Sequence, residues 1–276
     1  MVGDLAAGRM RVANGLERLF AQPTVRSPAN GVPFERSHTI LVIYFTLSLL
    51  IMWQADSALG LWMREFPREL RGAARFITDL GEGVEILVTT GVLLILAAFI
   101  PPKGLRRRIA VGANAVTATA AFIFLAVAGG GLAAWLLKNI IGRARPGTLD
   151  IPAHLHFQPF TFDSDFAAFP SGHSATAGAM AMSLALSFPR LRSVFIPVGV
   201  LICLSRQLVG AHWPSDTLMG WAVGVSFTLW LAHTFARRRL MFFYDGDGCL
   251  RRKEGRRVLR ALWDALQGKC ATARLS

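Results

Sequence analysis

Charged residues are scarce in this chain. Asp, Glu, Lys and Arg make up 17% of its 276 residues, where a soluble domain carries about 25%. Hydrophobic residues fill 53%, with 19 Phe and 7 Trp, more apolar side chain than an interior of this size hides from water. That excludes an ordinary soluble globule, and a disordered chain as well, which needs low hydrophobicity. Three cysteines are too few for a disulfide framework, and no heptad pattern supports a coiled coil. Acid is the scarcer charge, 17 against 30 Lys and Arg, for a net +13. In a soluble protein this excess would suggest nucleic acid. In a membrane protein the position of the charges says more than their sum, and nucleic acid is not an expected partner.

Crossing about 30 Å of hydrocarbon takes about 17 to 25 helical residues, and six stretches of nearly charge-free sequence qualify. They run from Ser37 to Ala55, Ile86 to Pro102, Ile109 to Leu137, Gly172 to Phe188, Ser193 to about Ala211 with Arg206 inside it, and Thr217 to Ala236. The predicted fold is therefore all-α, a six-span transmembrane helical bundle. Basic residues orient it. Residues 1–36 hold 5 Lys and Arg, residues 103–108 hold 4, residues 190–192 hold 2 and the tail after Ala236 holds 11, so 22 of 30 lie on one side. The positive-inside rule makes that side cytoplasmic, with both termini there.

The expected organisation is a cytoplasmic segment over 1–36, a six-span domain over 37–236 and a basic cytoplasmic tail over 237–276. The first span is expected to be an uncleaved anchor, because no short apolar region with a small-residue cleavage site precedes it. In the tail, Val258, Leu259, Leu262, Trp263 and Leu266 have helical apolar spacing beside Arg256, Arg257 and Arg260. That pattern suits a helix lying on the inner leaflet or a plain solvated tail. Residues 56–85 place Trp62, Phe66, Leu70 and Phe76 among Arg64, Arg68, Arg71 and Arg75, with Pro67 breaking any single helix. They read equally as an interfacial element at the lipid access or as a connector.

Ionisable groups at the ends of spans are where chemistry is to be sought. Three clusters fall at the outer ends of the third to sixth spans: Lys138 with Arg145-Pro146, then Pro170-Ser171-Gly172-His173, then Ser205-Arg206 with His212 and Asp216. Singly each is weak, since a terminal Lys usually snorkels and Ser-Gly-His before a helix is commonly a cap. Together they fix 11 positions in order, each matched by chance about once in twenty. Lys138, Arg145 and Arg206 put three cations around one site, which suits a phosphate, two of them with the planar fork that grips two oxygens. Ser171 as N-cap and Gly172 would turn free amide N–H groups toward the same anion.

Phosphoryl transfer needs a nucleophile and a proton donor for the leaving oxygen. Asp216, four residues after His212, can accept from one ring nitrogen and leave the other bare, so His212 reads as nucleophile and His173 as general acid. Arg143 cannot be assigned to phosphate or to the bilayer surface by spacing. His154-Leu155-His156 has too few ligands for zinc. The loop around it, rich in Phe157, Phe160, Phe162, Phe166 and Phe169, suits a lipid access or lid as well as packing against the spans.

From Lys138 to Asp216 the three clusters resemble the signature motifs of the type 2 phosphatidic acid phosphatase superfamily, integral-membrane lipid phosphate phosphatases. The resemblance implies a phosphohistidine on His212, leaving-group protonation by His173, orientation of His212 by Asp216, and phosphate binding by Lys138, Arg145, Ser171, Gly172 and Arg206. It implies neither metal nor other cofactor. The expected activity is hydrolysis of a phosphate monoester or pyrophosphate on a lipid drawn from the bilayer, at a site facing the exterior or periplasm in the plasma (inner) membrane. Phosphatidic acid, phosphatidylglycerol phosphate, undecaprenyl pyrophosphate and lipid A fit alike. Transfer to a second lipid is the alternative. The related vanadium haloperoxidases are generally soluble, and a non-catalytic lipid transporter would leave His212, Asp216 and His173 unexplained.

Overall fold

The computed structural model describes residues 17, 20–26, 37–64, 67–79, 81–99, 107–148 and 154–253. Long apolar runs form the helices expected of them. Helix α1 spans Ser37–Gln54. Pro67 splits the next segment into α2, Asp56–Arg64, and α3, Arg68–Asp79, because proline removes a helix donor and clashes with the preceding turn. Then follow α4 (Val84–Phe99), α5 (Arg107–Ile141), α6 (Gly172–Ser187), α7 (Arg192–Leu208) and α8 (Pro214–Arg237). Large apolar side chains point outward, as with Val42 at 65% and Trp53 at 73% exposure on α1. In water that surface would be costly, whereas hydrocarbon is its natural solvent.

Among the described residues five stretches are long and apolar enough to cross a membrane: Ser37–Gln54, Glu69–Phe99, Val111–Ile141, Pro189–Leu208 and Pro214–Arg237. The fourth expected span, α6, is a helix of 16 residues, about 24 Å long at 1.5 Å per residue, short of the full hydrocarbon thickness. Its sequence explains its surroundings. Rich in Ala, Gly and Ser, it buries Ser174, Ala175, Ala177, Gly178, Ala179 and Ala181, so it runs among other helices and presents little surface to lipid.

The chain packs as two compact units. One comprises the described residues of Gly31–Leu87 and Ile123–Leu231 and holds every candidate site residue. In it α6 packs against α7, and α7 against α3. Small residues let α6 and α8 approach at backbone distance: a Cβ on Gly224 would collide with the Ala175 carbonyl oxygen, and one on Gly220 with that of Ser171. This contact fixes the start of α6 beside the first turns of α8.

The other unit contains Val88–Phe122 and the described part of Ala232–Ser276. Phe122 meets Phe235 and Phe242 edge to face, with ring centroids 5.4 and 4.9 Å apart. Here the expectation of an all-helical chain is corrected: β1 (Phe242–Tyr244) and β2 (Leu250–Arg252) form an antiparallel hairpin that pairs Phe243 with Arg251. The aromatic run Phe242-Phe243-Tyr244, which favours a strand, followed by the turn-forming Asp-Gly-Asp-Gly run at 245–248, accounts for it. The tail helix considered around Val258–Leu266 lies outside the described residues.

Candidate active site

Two helices end on glycines that release the chain into the site. After Ile141, Gly142 adopts φ +65°, its N–H donating to the Lys138 carbonyl at 2.9 Å, and a Cβ there would collide with the Gln158 carbonyl. Only glycine meets both demands. After α7, Gly210 takes φ +75°, and the Ala211 N–H returns to the Arg206 carbonyl at 3.1 Å. The first turn delivers Arg143 and Arg145, the second His212. Ser171 caps α6, its Oγ accepting from the Ser174 N–H at 3.4 Å, while the Ser171 N–H donates to the Asp216 carbonyl at 3.0 Å.

The three sequence clusters converge. Arg206, His212, Arg145 and Lys138 all lie close enough to His173, in the first turn of α6, for direct electrostatic interaction with it. Arg145 Nε and Arg206 Nε are buried without a hydrogen-bond partner among the described residues, although such a donor costs about 1–3 kcal/mol to leave unanswered. Among the described residues Arg206 is steered by one bond, from Nη1 to Thr78 Oγ1 at 3.1 Å. Glu82 stands at the rim, with its Oε1 3.7 Å from His173 Nε2. Residues 56–85 are thus more than a connector, since α3 and the turn after it form a wall of the site.

His212 is buried, and its Nδ1 lies 2.9 Å from the Ala168 carbonyl oxygen. A carbonyl only accepts, so the proton sits on Nδ1 and Nε2 keeps its lone pair. Asp216 Oδ2 stands 3.6 Å from the same Nδ1, within reach of charge but beyond a hydrogen bond. Burial holds the imidazole below its ordinary proton affinity; Asp216 opposes this, and Arg145 and Arg206 reinforce it. The ring is therefore neutral near pH 7. Cations with unanswered donors can hold an oxyanion, a neutral imidazole can attack it, and a second imidazole can supply a proton.

Sequence reasoning left two charged residues unassigned that the structure places at the centre of a network. Arg143, with 0% exposure, faces neither phosphate nor bilayer. Its Nη2 donates to Asp56 Oδ2 at 2.8 Å and its Nη1 to Asp216 Oδ1 at 2.5 Å. Nη1 also reaches Ser215 Oγ at 2.7 Å, and Nε and Nη2 reach the His154 carbonyl at 2.8 and 2.6 Å. Asp56 accepts from the Ser215 N–H at 3.1 Å and from its hydroxyl. Burial pushes the Asp56 carboxyl up, and its bonds from Ser215 and Arg143 pull it back. The indole of Trp213 lies under the guanidinium, 5.7 Å from ring centroid to Cζ. Deleting one partner of such a buried pair costs about 3–5 kcal/mol. The single sequence signal for Asp56 was a lone carboxylate at the exit of an uncharged span.

Comparison with known proteins matches this architecture. Residues 118–240 fit the model of the PAP2 superfamily. The lipid A 1-phosphatase of Rhizobium johnstonii is 36% identical over 219 residues, covering 79% of this chain and 88% of that protein. The lipid A 1-phosphatase of Rhizobium etli is 35% identical over 218 residues, covering 79% and 93%. In fold, the chain is similar to the crystal structure of a transmembrane PAP2-type phosphatidylglycerolphosphate phosphatase from Bacillus subtilis, with a TM-score of 0.50 at 21% identity over 72% of this chain and 94% of that one. On its sequence relatives, its family match and its helical membrane architecture, this chain belongs to the PAP2 superfamily, as a lipid phosphatase of the PAP2 type.

Proposed function

We propose that the protein removes the 1-phosphate of lipid A, or of a closely similar glycolipid, at the outer face of the inner membrane, through a phosphohistidine on His212. The observation that carries the chemistry is the meeting of neutral, buried His212 with the unanswered guanidinium donors of Arg145 and Arg206. The phosphate sits among Lys138, Arg145 and Arg206 and the amides at the start of α6, where Ser171 shapes the first turn and Gly172 leaves the backbone open. His212 Nε2 attacks phosphorus and displaces the lipid oxygen. His173 protonates that oxygen, and water then attacks the phosphohistidine with His173 as base. No step calls on a metal.

The substrate assignment draws on the two lipid A 1-phosphatases that this chain matches over most of their length. The orientation draws on the 22 basic residues of the opposite side. In that frame residues 1–36 and the tail after 236 are cytoplasmic, α6 completes a sixth span inside the 37–236 domain, and the loop bearing Phe160 and Phe162, 78% and 81% exposed, meets the outer leaflet.

Phosphate release in detergent, with chelator present, tests the reading. The panel is lipid A 1-phosphate, lipid A 4′-phosphate, phosphatidic acid, phosphatidylglycerol phosphate and undecaprenyl pyrophosphate, with wild type beside His212→Ala. The wild type releases phosphate fastest from lipid A 1-phosphate and the variant releases none. A different preferred lipid overturns the substrate, and release by the variant overturns the phosphohistidine. Phosphate that appears on an added acceptor lipid rather than in solution indicates the transferase alternative.

A further inference from the structure

His212 Nδ1 has two acceptors around it, and both are held by one residue, Arg143, that forms no hydrogen bond with His212 among the described residues. The main-chain carbonyl of Arg143 accepts from the Ala168 N–H at 3.0 Å, and the Ala168 carbonyl in turn takes the Nδ1 proton. The Arg143 side chain holds Asp216 Oδ1, and Asp216 Oδ2 is left to the Trp213 N–H at 2.8 Å and to the neighbourhood of Nδ1. Backbone and side chain of Arg143 thus brace the two partners of His212 from opposite sides. The remaining arm of the guanidinium is fixed by Asp56, which itself grips Ser215 at the start of α8.

We propose that Arg143 is a positioning residue for His212, and that Asp56 at the start of α2 is the anchor that fixes Arg143. This rests on the reading of His212 as nucleophile. The fork geometry matters, because an ammonium presents a single charge and cannot answer Asp56, Asp216, Ser215 and the His154 carbonyl together. The cluster also sets a charge: one guanidinium stands between two carboxylates. The other ionisable groups facing His212 are Arg145 after α5, Arg206 on α7 and His173 on α6. Against that cationic background, the extent to which Arg143 neutralises Asp216 tunes the imidazole.

The test compares Arg143→Lys and Asp56→Asn with wild type for kcat, KM, pH profile and vanadate inhibition, normalised to sites titrated by vanadate. Arg143→Lys lowers kcat about 100-fold, the effect of misplacing a reacting group by about 1 Å, with KM and vanadate affinity within about threefold. Its acidic limb moves to higher pH, because Asp216 is less completely neutralised. Asp56→Asn, of the same shape, lowers kcat about tenfold, and its limb moves to lower pH, because the guanidinium then serves Asp216 alone. A purely structural role moves neither limb. The proposal is overturned by near-normal kcat per titrated site in both variants, by equal loss of vanadate binding, or by limbs that stay put or move together. If Arg143→Lys does not fold, Asp56→Asn decides by the same readouts. An inactive His212→Ala with unperturbed Arg143→Lys defeats this inference alone, whereas an active His212→Ala defeats the reading beneath it.

Discussion

Arg143 and Arg145 are two residues apart and chemically identical, yet the structure uses them in opposite ways. Arg143 is fully buried with its guanidinium bound to two carboxylates, a hydroxyl and a carbonyl. Arg145 keeps its Nε buried, with no partner among the described residues. The first has its hydrogen-bonding capacity committed inside the fold, and the second is held in readiness for an anion that the protein does not itself supply. Charge alone therefore does not mark a binding arginine. What sets Arg145 apart is a donor left over beside His173 and His212, and Arg206, bonded to Thr78 among the described residues, has that character too.

The sharpest way to break this contrast is Arg145→Ala. Loss of a preorganised donor lowers kcat about 10²–10³-fold and weakens vanadate inhibition in parallel, while the detergent melting temperature barely moves. A variant that melts early but retains vanadate affinity would make Arg145 a second Arg143. Asp216→Asn gives a smaller effect. Because the Ala168 carbonyl already fixes the His212 tautomer, kcat falls about 10–100-fold rather than the 10⁴-fold seen where a carboxylate alone sets the tautomer. The same substitution removes what raises the proton affinity of His212.

The pH profile follows from that sign. His212 attacks only when neutral, and burial lowers its proton affinity, so activity persists as pH falls below the ordinary imidazole range near 6.5 and is lost only at the lowered value. In Asp216→Asn the limb lies lower still. A wild-type limb at or above 6.5, measured by initial phosphate release, would contradict the neutral ring. Thr78→Ala is the mildest change: loss of one neutral hydrogen bond to Arg206 lowers kcat about threefold to tenfold, with vanadate affinity as the check that the guanidinium has loosened.

The helices were legible because hydrocarbon demands long uncharged runs, and the gathering of Lys138, Arg145, His173, Arg206 and His212 was legible because their residue types share one anion chemistry. The extent of α6 was legible to within one residue, but its burial among other helices was not, since an Ala- and Gly-rich run looks the same by absence of charge whether it meets lipid or protein. The hairpin after α8 escaped because it packs, through Phe242, on Phe122 far away in sequence. Asp56 escaped for the same reason. Its partner Arg143 lies 87 residues on, and no local spacing encodes a contact that depends on how α2 meets the start of α8.

The acceptor that fixes the His212 proton is a main-chain oxygen. A side-chain partner can be exchanged by a single codon change and so leaves a trace in the pattern of tolerated residues, but the Ala168 carbonyl is present whatever amino acid occupies position 168. Selection can act on it only through the course of the backbone, by way of the residues that pin the loop after α5. Inheritance of the attacking imidazole's orientation is therefore spread over the path of a loop, and a descendant could keep every signature residue while losing the reaction to an insertion between Pro146 and Ala168.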